Sequence, residues 1–247
     1  MINFVDLLAS IIAKVGYKME DLPDCIRVAS AYGRIPLSIV VFLAVLLWIR
    51  HRNKEAILNS DNNYYHNHFY ISYLFCARIL GYKKCRLKNV PIPMQIKLAV
   101  NGVFETFIVD EGIHDAPKED RVVVTRSKDK HYTSTVNLIV SDTYKTTISQ
   151  LPGNVLSFTT IEIDRSSSDH MRYRSEKLVK QVISTVRNLP KNVVQINAFM
   201  TTNPSNTYRI AKEAFATAER DRTKHLYVFQ QETEEPRNFK AIGKKVY

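Results

Sequence analysis

The sequence predicts an α/β protein: a single N-terminal transmembrane helix, then a cytosolic mixed α/β domain whose C-terminal half alternates as β-α-β-α-β. Three observations carry that expectation. Residues 35–49 form an apolar run without a charge, closed at once by Arg50, His51, Arg52 and Lys54. Short β-branched runs between turn residues occupy 91–163. Beyond Pro152-Gly153 the apolar spacing switches back and forth between the strand and helix periods. Composition agrees, since a chain of 247 residues with 45% hydrophobic and 10% aromatic content is too apolar to stay disordered. Three cysteines, Cys25, Cys76 and Cys85, do not make a disulfide framework. Thirty-five basic against 24 acidic residues leave a net charge of +11, which favours anionic partners.

From the N-terminus, residues 1–27 read as a short amphipathic helix followed by a loop. Ile2, Val5, Leu8, Ile12 and Val15 recur at helical spacing and Gly16 ends the run. The helix either lies in the outer membrane interface or pairs with the span and helps oligomerise it. Residues 28–49 are the expected span. Fifteen helical residues rise only ~22 Å, so the run extends back to Val28 past Arg34, which can snorkel to the headgroups. Trp48 stands where an interfacial aromatic belongs. The 34 residues up to Arg34 hold four basic and four acidic groups, whereas basic residues dominate after the span. The positive-inside rule therefore puts the N-terminus outside and residues 50–247 in the cytoplasm of a cell-membrane protein. No small-residue cleavage site follows the run, so it is not a removed signal peptide.

Residues 50–90 form a basic and aromatic juxtamembrane segment. Between 50 and 88 there are eight Lys or Arg and two acids. A helix is expected within 69–82, too short for a second span, lying either on the bilayer or under the domain. Basic residues interleaved with Tyr64, Tyr65, Phe69, Tyr70, Tyr73 and Tyr82 suit anionic lipid or a single-stranded nucleic acid whose bases stack on the rings. His66, His68 and His51 have no further ligand at a diagnostic offset, so no metal is expected.

Residues 91–247 form the α/β domain. Pro91-Ile92-Pro93 makes a stiff boundary. Residues 95–100 and 103–109 read as two strands joined by an Asn101-Gly102 hairpin turn. Strands follow at 122–125 and 135–140, and 142–150 is ambiguous between strand and short helix. A strand at 155–163, a helix at 171–188, a strand at 193–200, a helix at 204–221 and a strand at 226–229 give a locally parallel, Rossmann-like half.

In such a sheet, ligands bind at the carboxyl ends of the strands. Two hydroxyl- and amide-rich loops fall there. One carries Ser166, Ser167 and Ser168, the other Thr201, Thr202, Asn203 and Ser205. Each either caps the following helix or holds a phosphate. Lys83, Lys84, Arg86 and Lys88 in the juxtamembrane segment, with Arg165, Arg172, Arg174, Lys177 and Lys180 on the domain, are the candidate nucleic-acid contacts. No catalytic residue or cofactor is expected. Ser168, Asp169 and His170 are consecutive, whereas triad members converge from separate segments. Glycine-rich phosphate loops, the G-x-S-x-G elbow and H-E-x-x-H are missing from the sequence.

The segment 193–230, with Val-Val-Gln-Ile-Asn-Ala-Phe-Met-Thr-Thr-Asn-Pro-Ser-Asn running into a helix and then His-Leu-Tyr-Val-Phe, resembles the last strand–loop–helix–strand of Rossmann-like nucleotide-sensing domains in prokaryotic anti-phage and CRISPR-associated effectors. The helix lacks the glycine such families often carry. The plan of one span before a basic cytosolic domain is similar to the membrane-anchored abortive-infection proteins of lactococci that bind nucleic acid. Both resemblances imply bacterial anti-phage defence at the inner membrane face, and neither transfers a catalytic residue. The expected function is sequence-independent binding of single-stranded DNA or RNA beside the membrane. Two alternatives stay open: a nucleotide-gated effector whose sensor domain controls oligomerised spans, and a membrane scaffold that recruits a protein partner through residues 69–82. The expected partners are the lipid membrane, a nucleic acid or nucleotide, and further copies of the chain.

Overall fold

The computed structural model describes residues 34–61, 63–109, 112–117, 120–127, 133–165, 171–216 and 224–247. The expected helix at 2–16, Cys25, the first part of the expected span (28–33) and Ser166, Ser167 and Ser168 lie outside those residues. The chain divides into two units, Met1–Lys54 and Glu55–Tyr247.

The first unit contributes helix α1 (Arg34–Asn53), with Arg50, His51 and Arg52 in its last turn, where cations complement the helix dipole. It exposes Ile39, Phe42, Leu43, Val45, Leu47 and Trp48, and Arg52 lies 5.3 Å from the centre of the Trp48 ring. Among the described residues, no helix is long and apolar enough to cross a membrane.

The second unit begins with a small parallel sheet, β1 (Ile57–Leu58), β2 (Lys84–Arg86) and β3 (Thr106–Ile108), in that spatial order. Helix α2 (Tyr70–Arg78) packs on it through Tyr73, which is 2% exposed, with Tyr70, Leu74 and Ala77 around it. Cys85 is fully buried in this cluster, and burial pushes its thiol up to about 12.

Helix α3 (Ile92–Val100) stands where a strand was expected at 95–100. The polar–apolar alternation of Gln95-Ile96-Lys97-Leu98 imitates a strand, but Pro93 sits in a first turn whose amide needs no partner. Asn101-Gly102 is correspondingly not a hairpin. Gly102, at φ +56°, donates to Ala99 O and Val103 to Leu98 O, the paired bonds that close a helix on a left-handed glycine. The expected strand at 103–109 shrinks to β3.

The remaining short pair is β4 (His114–Asp115) with β8 (Tyr173–Arg174). The main sheet contains β5 (Val123–Arg126), β6 (Thr135–Ser141), β7 (Thr159–Asp164), β9 (Gln195–Met200), β10 (His225–Phe229) and β11 (Lys244–Lys245). Its order is β11-β10-β9-β6-β7-β5, parallel from β10 to β7 with antiparallel edges. The expected alternation of strand and helix is there, through α4 (Glu176–Arg187) and α5 (Pro204–Ile210), the latter running into a π turn at Ala211–Phe215. Strands β7 and β9 are not neighbours, however, because β6 lies between them. The ambiguous 142–150 stretch and the start of the expected 155–163 strand form 3-10 turns at Ile148–Gln150 and Gly153–Val155.

Every residue of β6 is buried, which is what a central parallel strand covered on both faces requires. Val136, Leu138 and Val140 face the helices with Ile161, Ile196, Leu178 and Phe215. Ile139 faces the other way into Leu151, Val155, Phe199, Phe229 and Phe239.

Candidate functional site

Parallel strands deliver their last residues to one edge of the sheet, and a crevice opens where two neighbours send the chain off over opposite faces. Strands β6 and β9 are such neighbours. After β6 the chain crosses the face that holds Leu151 and Val155, whereas after β9 it enters α5 on the face that holds Ile210 and Ala211. A cleft of about 240 Å³ opens at that point, between Thr143 and Tyr144 from the first connection and Thr201, Thr202 and Asn203 from the second. Lys88, Gln95 and Arg172 also line it. Gln231 links it to a second hollow of about 390 Å³ that includes Tyr65, Gln230, Lys240 and Lys244.

The floor of the cleft is a buried polar network centred on Asp142, the residue after β6. Its Oδ1 accepts from Arg165 Nη1 at 2.9 Å. Its Oδ2 accepts from the Asn203 amide N at 3.2 Å and from Asn203 Nδ2 and Asn206 Nδ2, each at 2.9 Å. Burial pushes the Asp142 carboxyl above its ordinary range, while the Asn206 and Arg165 donors act in the opposite direction. Arg165 also donates from Nε to Asp120 Oδ1 at 2.9 Å and stacks 5.1 Å from the Tyr173 ring centre. Ser175 donates to the other Asp120 oxygen, so both carboxylates have firm partners.

This network decides what the expected phosphate loop can offer. Thr201 Oγ1 donates to Tyr144 O at 2.7 Å, and the hydroxyls of Thr202 and Thr207 lie 2.7 Å apart. Asn203 caps α5, accepting from Asn206 N at 3.0 Å. Ser205 is 2% exposed. Thr201, Thr202 and Asn203 are thus hydrogen-bonded within the fold while they line the cleft, Ser205 is buried beneath it, and other polar side chains line the cleft as well.

Gln95 is one of them. It is 4% exposed, its Nε2 donates to Val90 O at 2.7 Å, and its Oε1 has no hydrogen-bond partner. A buried carbonyl oxygen left unpaired costs on the order of 1–3 kcal/mol, and a ligand N–H removes that cost. Beside it Tyr144 is 42% exposed at the rim.

The nine expected nucleic-acid contacts divide between the cleft and ion pairs or hydrogen bonds within the fold. Lys88 and Arg172, far apart in sequence, meet at the cleft. Arg165 is 4% exposed and is committed to Asp120 and Asp142. Lys83 pairs with Glu105 and Lys84 with Glu55, both at 2.6 Å. Arg86 donates to Ser60 O, Arg174 lies 3.5 Å from Asp115, Lys177 donates to Asp120 O at 2.9 Å, and Lys180 pairs with Glu176 at 3.4 Å. His66 is buried with Nε2 2.9 Å from Asp61 O.

Sequence reasoning missed Gln95, Tyr144 and Asp142. A signal for Asp142 was present, an acid separated from the β-branched run 135–140 only by Ser141. None marked Gln95, which sits in a helix read as a strand.

The sequence matches a family model described as SUa-2TM, the SMODS- and Ubiquitin system-associated 2TM effector domain, over residues 26–246. That description counts two transmembrane segments, where the sequence reading placed one. No curated protein matches. Among solved structures, the Acinetobacter baumannii Cap4 SAVED/CARF-domain containing receptor with the cyclic trinucleotide 2'3'3'-cAAA is similar at 7% identity and a TM-score of 0.48. That match covers 71% of this chain and 41% of the receptor. The same receptor with 3'3'3'-cAAA gives 7% identity and 0.47 over 70% and 40% of the two chains. Likeness at that level is too slight to transfer a ligand or a role.

Proposed function

We propose, from the premise that this chain belongs to the family of SMODS- and Ubiquitin system-associated 2TM effector domains, that it is a nucleotide-gated membrane effector of bacterial anti-phage defence. The nucleotide binds the cleft between β6 and β9, and binding reorganises membrane helices of associated copies. The observation that carries the reading is the cleft's chemistry. Lys88 and Arg172 supply two cations for phosphate, Gln95 Oε1 supplies an unpaired acceptor for a base amino group, and Tyr144, whose ring carries the Arg237 guanidinium 4.6 Å from its centre, supplies an aromatic wall at the rim. All four belong to one hollow at the position where parallel sheets bind ligands.

The membrane half of the reading is supported by α1, whose exposed Phe42, Leu43, Leu47 and Trp48 form an apolar surface that water does not accommodate well. Arg50, Arg52 and Lys54 favour the cytoplasmic side for the residues that follow. The geometry gives less support to an extended nucleic-acid strand, because Arg165 is buried and most of the other expected contacts are engaged within the fold.

The test is the melting temperature of the full detergent-solubilised chain against cyclic di- and trinucleotides and, in parallel, single-stranded oligonucleotides. A rise with one cyclic nucleotide is expected, and Arg172→Ala should weaken that binding about tenfold, the worth of one charge-assisted hydrogen bond. A shift with oligonucleotides alone, steeply salt-dependent, would favour the nucleic-acid reading instead.

A further inference from the structure

Helix α2 resolves into two faces. Tyr73 is 2% exposed and bound to the small sheet, its hydroxyl donating to His66 O at 3.1 Å and accepting from Asn59 Nδ2 at 3.3 Å. Ile71 and Phe75, with Ile79 just after the helix, follow at four-residue spacing along one line, and they are 70%, 52% and 43% exposed. Phe69, before the first turn, is 82% exposed. Residues of this size are commonly exposed one at a time, but a contiguous row of them marks a contact surface.

We infer that this face of α2 lies in the interfacial layer of an anionic bilayer, as a peripheral contact additional to the membrane-spanning part. The inference rests on the membrane reading above. Charge selects lipid as the occupant: Arg78 stands in the last turn of α2 beside Ile79, and the segment 55–88 carries five basic against two acidic side chains, a net charge of +3. An apolar row within a basic segment is the pattern of a helix that inserts its side chains among acyl chains while its cations meet phosphate headgroups.

The chain's single tryptophan, Trp48, makes the test self-referencing. The full chain is reconstituted in vesicles of phosphatidylcholine and phosphatidylglycerol, with and without phosphatidylcholine brominated near the headgroup end of its acyl chains. Wild-type fluorescence reports on α1, and a W48F/F75W double variant reports on α2. W48F/I71W, at the more exposed position, provides a second probe. Blue-shifted emission quenched by the bromolipid is expected from both double variants. Emission typical of an indole in water, unquenched while Trp48 is quenched, would overturn the inference and leave the membrane reading intact. Blue-shifted but unquenched emission would also overturn it, by showing protein rather than lipid over the face. Loss of quenching at Trp48 itself would overturn the membrane reading, and this inference with it.

Discussion

Arg165 shows how a residue chosen for its charge can serve the fold. Its guanidinium joins Asp120 to Asp142, the two carboxylates that hold Ser175, Asn203 and Asn206 in place. Removing one member of such a buried set leaves uncompensated charge, so Arg165→Met should destabilise the domain by about 3–5 kcal/mol, read from chemical denaturation. Arg172→Met, at an exposed site, should change stability by less than about 0.5 kcal/mol in the absence of ligand. The sequence showed basic residues near the strand ends without showing which were buried. Exposure depends on where the strands sit in the sheet, and Asp120 and Asp142 reach Arg165 across 45 and 23 residues of chain. Gln95 was illegible for a related reason, since its unpaired oxygen becomes visible only once Val90 O has taken its other end.

At the scale of elements, the alternation of β7, α4, β9, α5 and β10 was legible because β-branched runs and an amphipathic helix have distinct periods. Helix α3 was not, because Asn-Gly serves both a hairpin and a helix C-terminus, and four residues of alternating polarity fit either period. The insertion of β6 between β7 and β9 was also beyond local pattern, since pairing order is set by long-range packing. The C-terminal segment closes the sheet face opposite the helices through a close approach. A Cβ at Gly243 would lie 2.7 Å from the Phe229 ring, which stacks on Phe199 with ring centres 4.5 Å apart. That ring has little room to give, so Gly243→Ala should lower stability by about 1–3 kcal/mol. A melting temperature equal to wild type would mean that the segment is loosely held.

At the scale of the whole molecule, the cleft and the apolar helix belong to two separate units, and the proposed activity requires that one govern the other. A ligand can move such an equilibrium only by binding one state better than the other. Occupancy of the cleft must therefore change what the membrane helices do, and binding alone does not demonstrate a gated effector. The most direct measurement is dye release from phosphatidylcholine–phosphatidylglycerol vesicles carrying the full chain, read before and after addition of the cyclic nucleotide that raises its melting temperature. The account predicts release on addition, and little release from Arg172→Ala vesicles at the same concentration. Vesicles that stay sealed with the nucleotide demonstrably bound, or that leak equally without it, would contradict it.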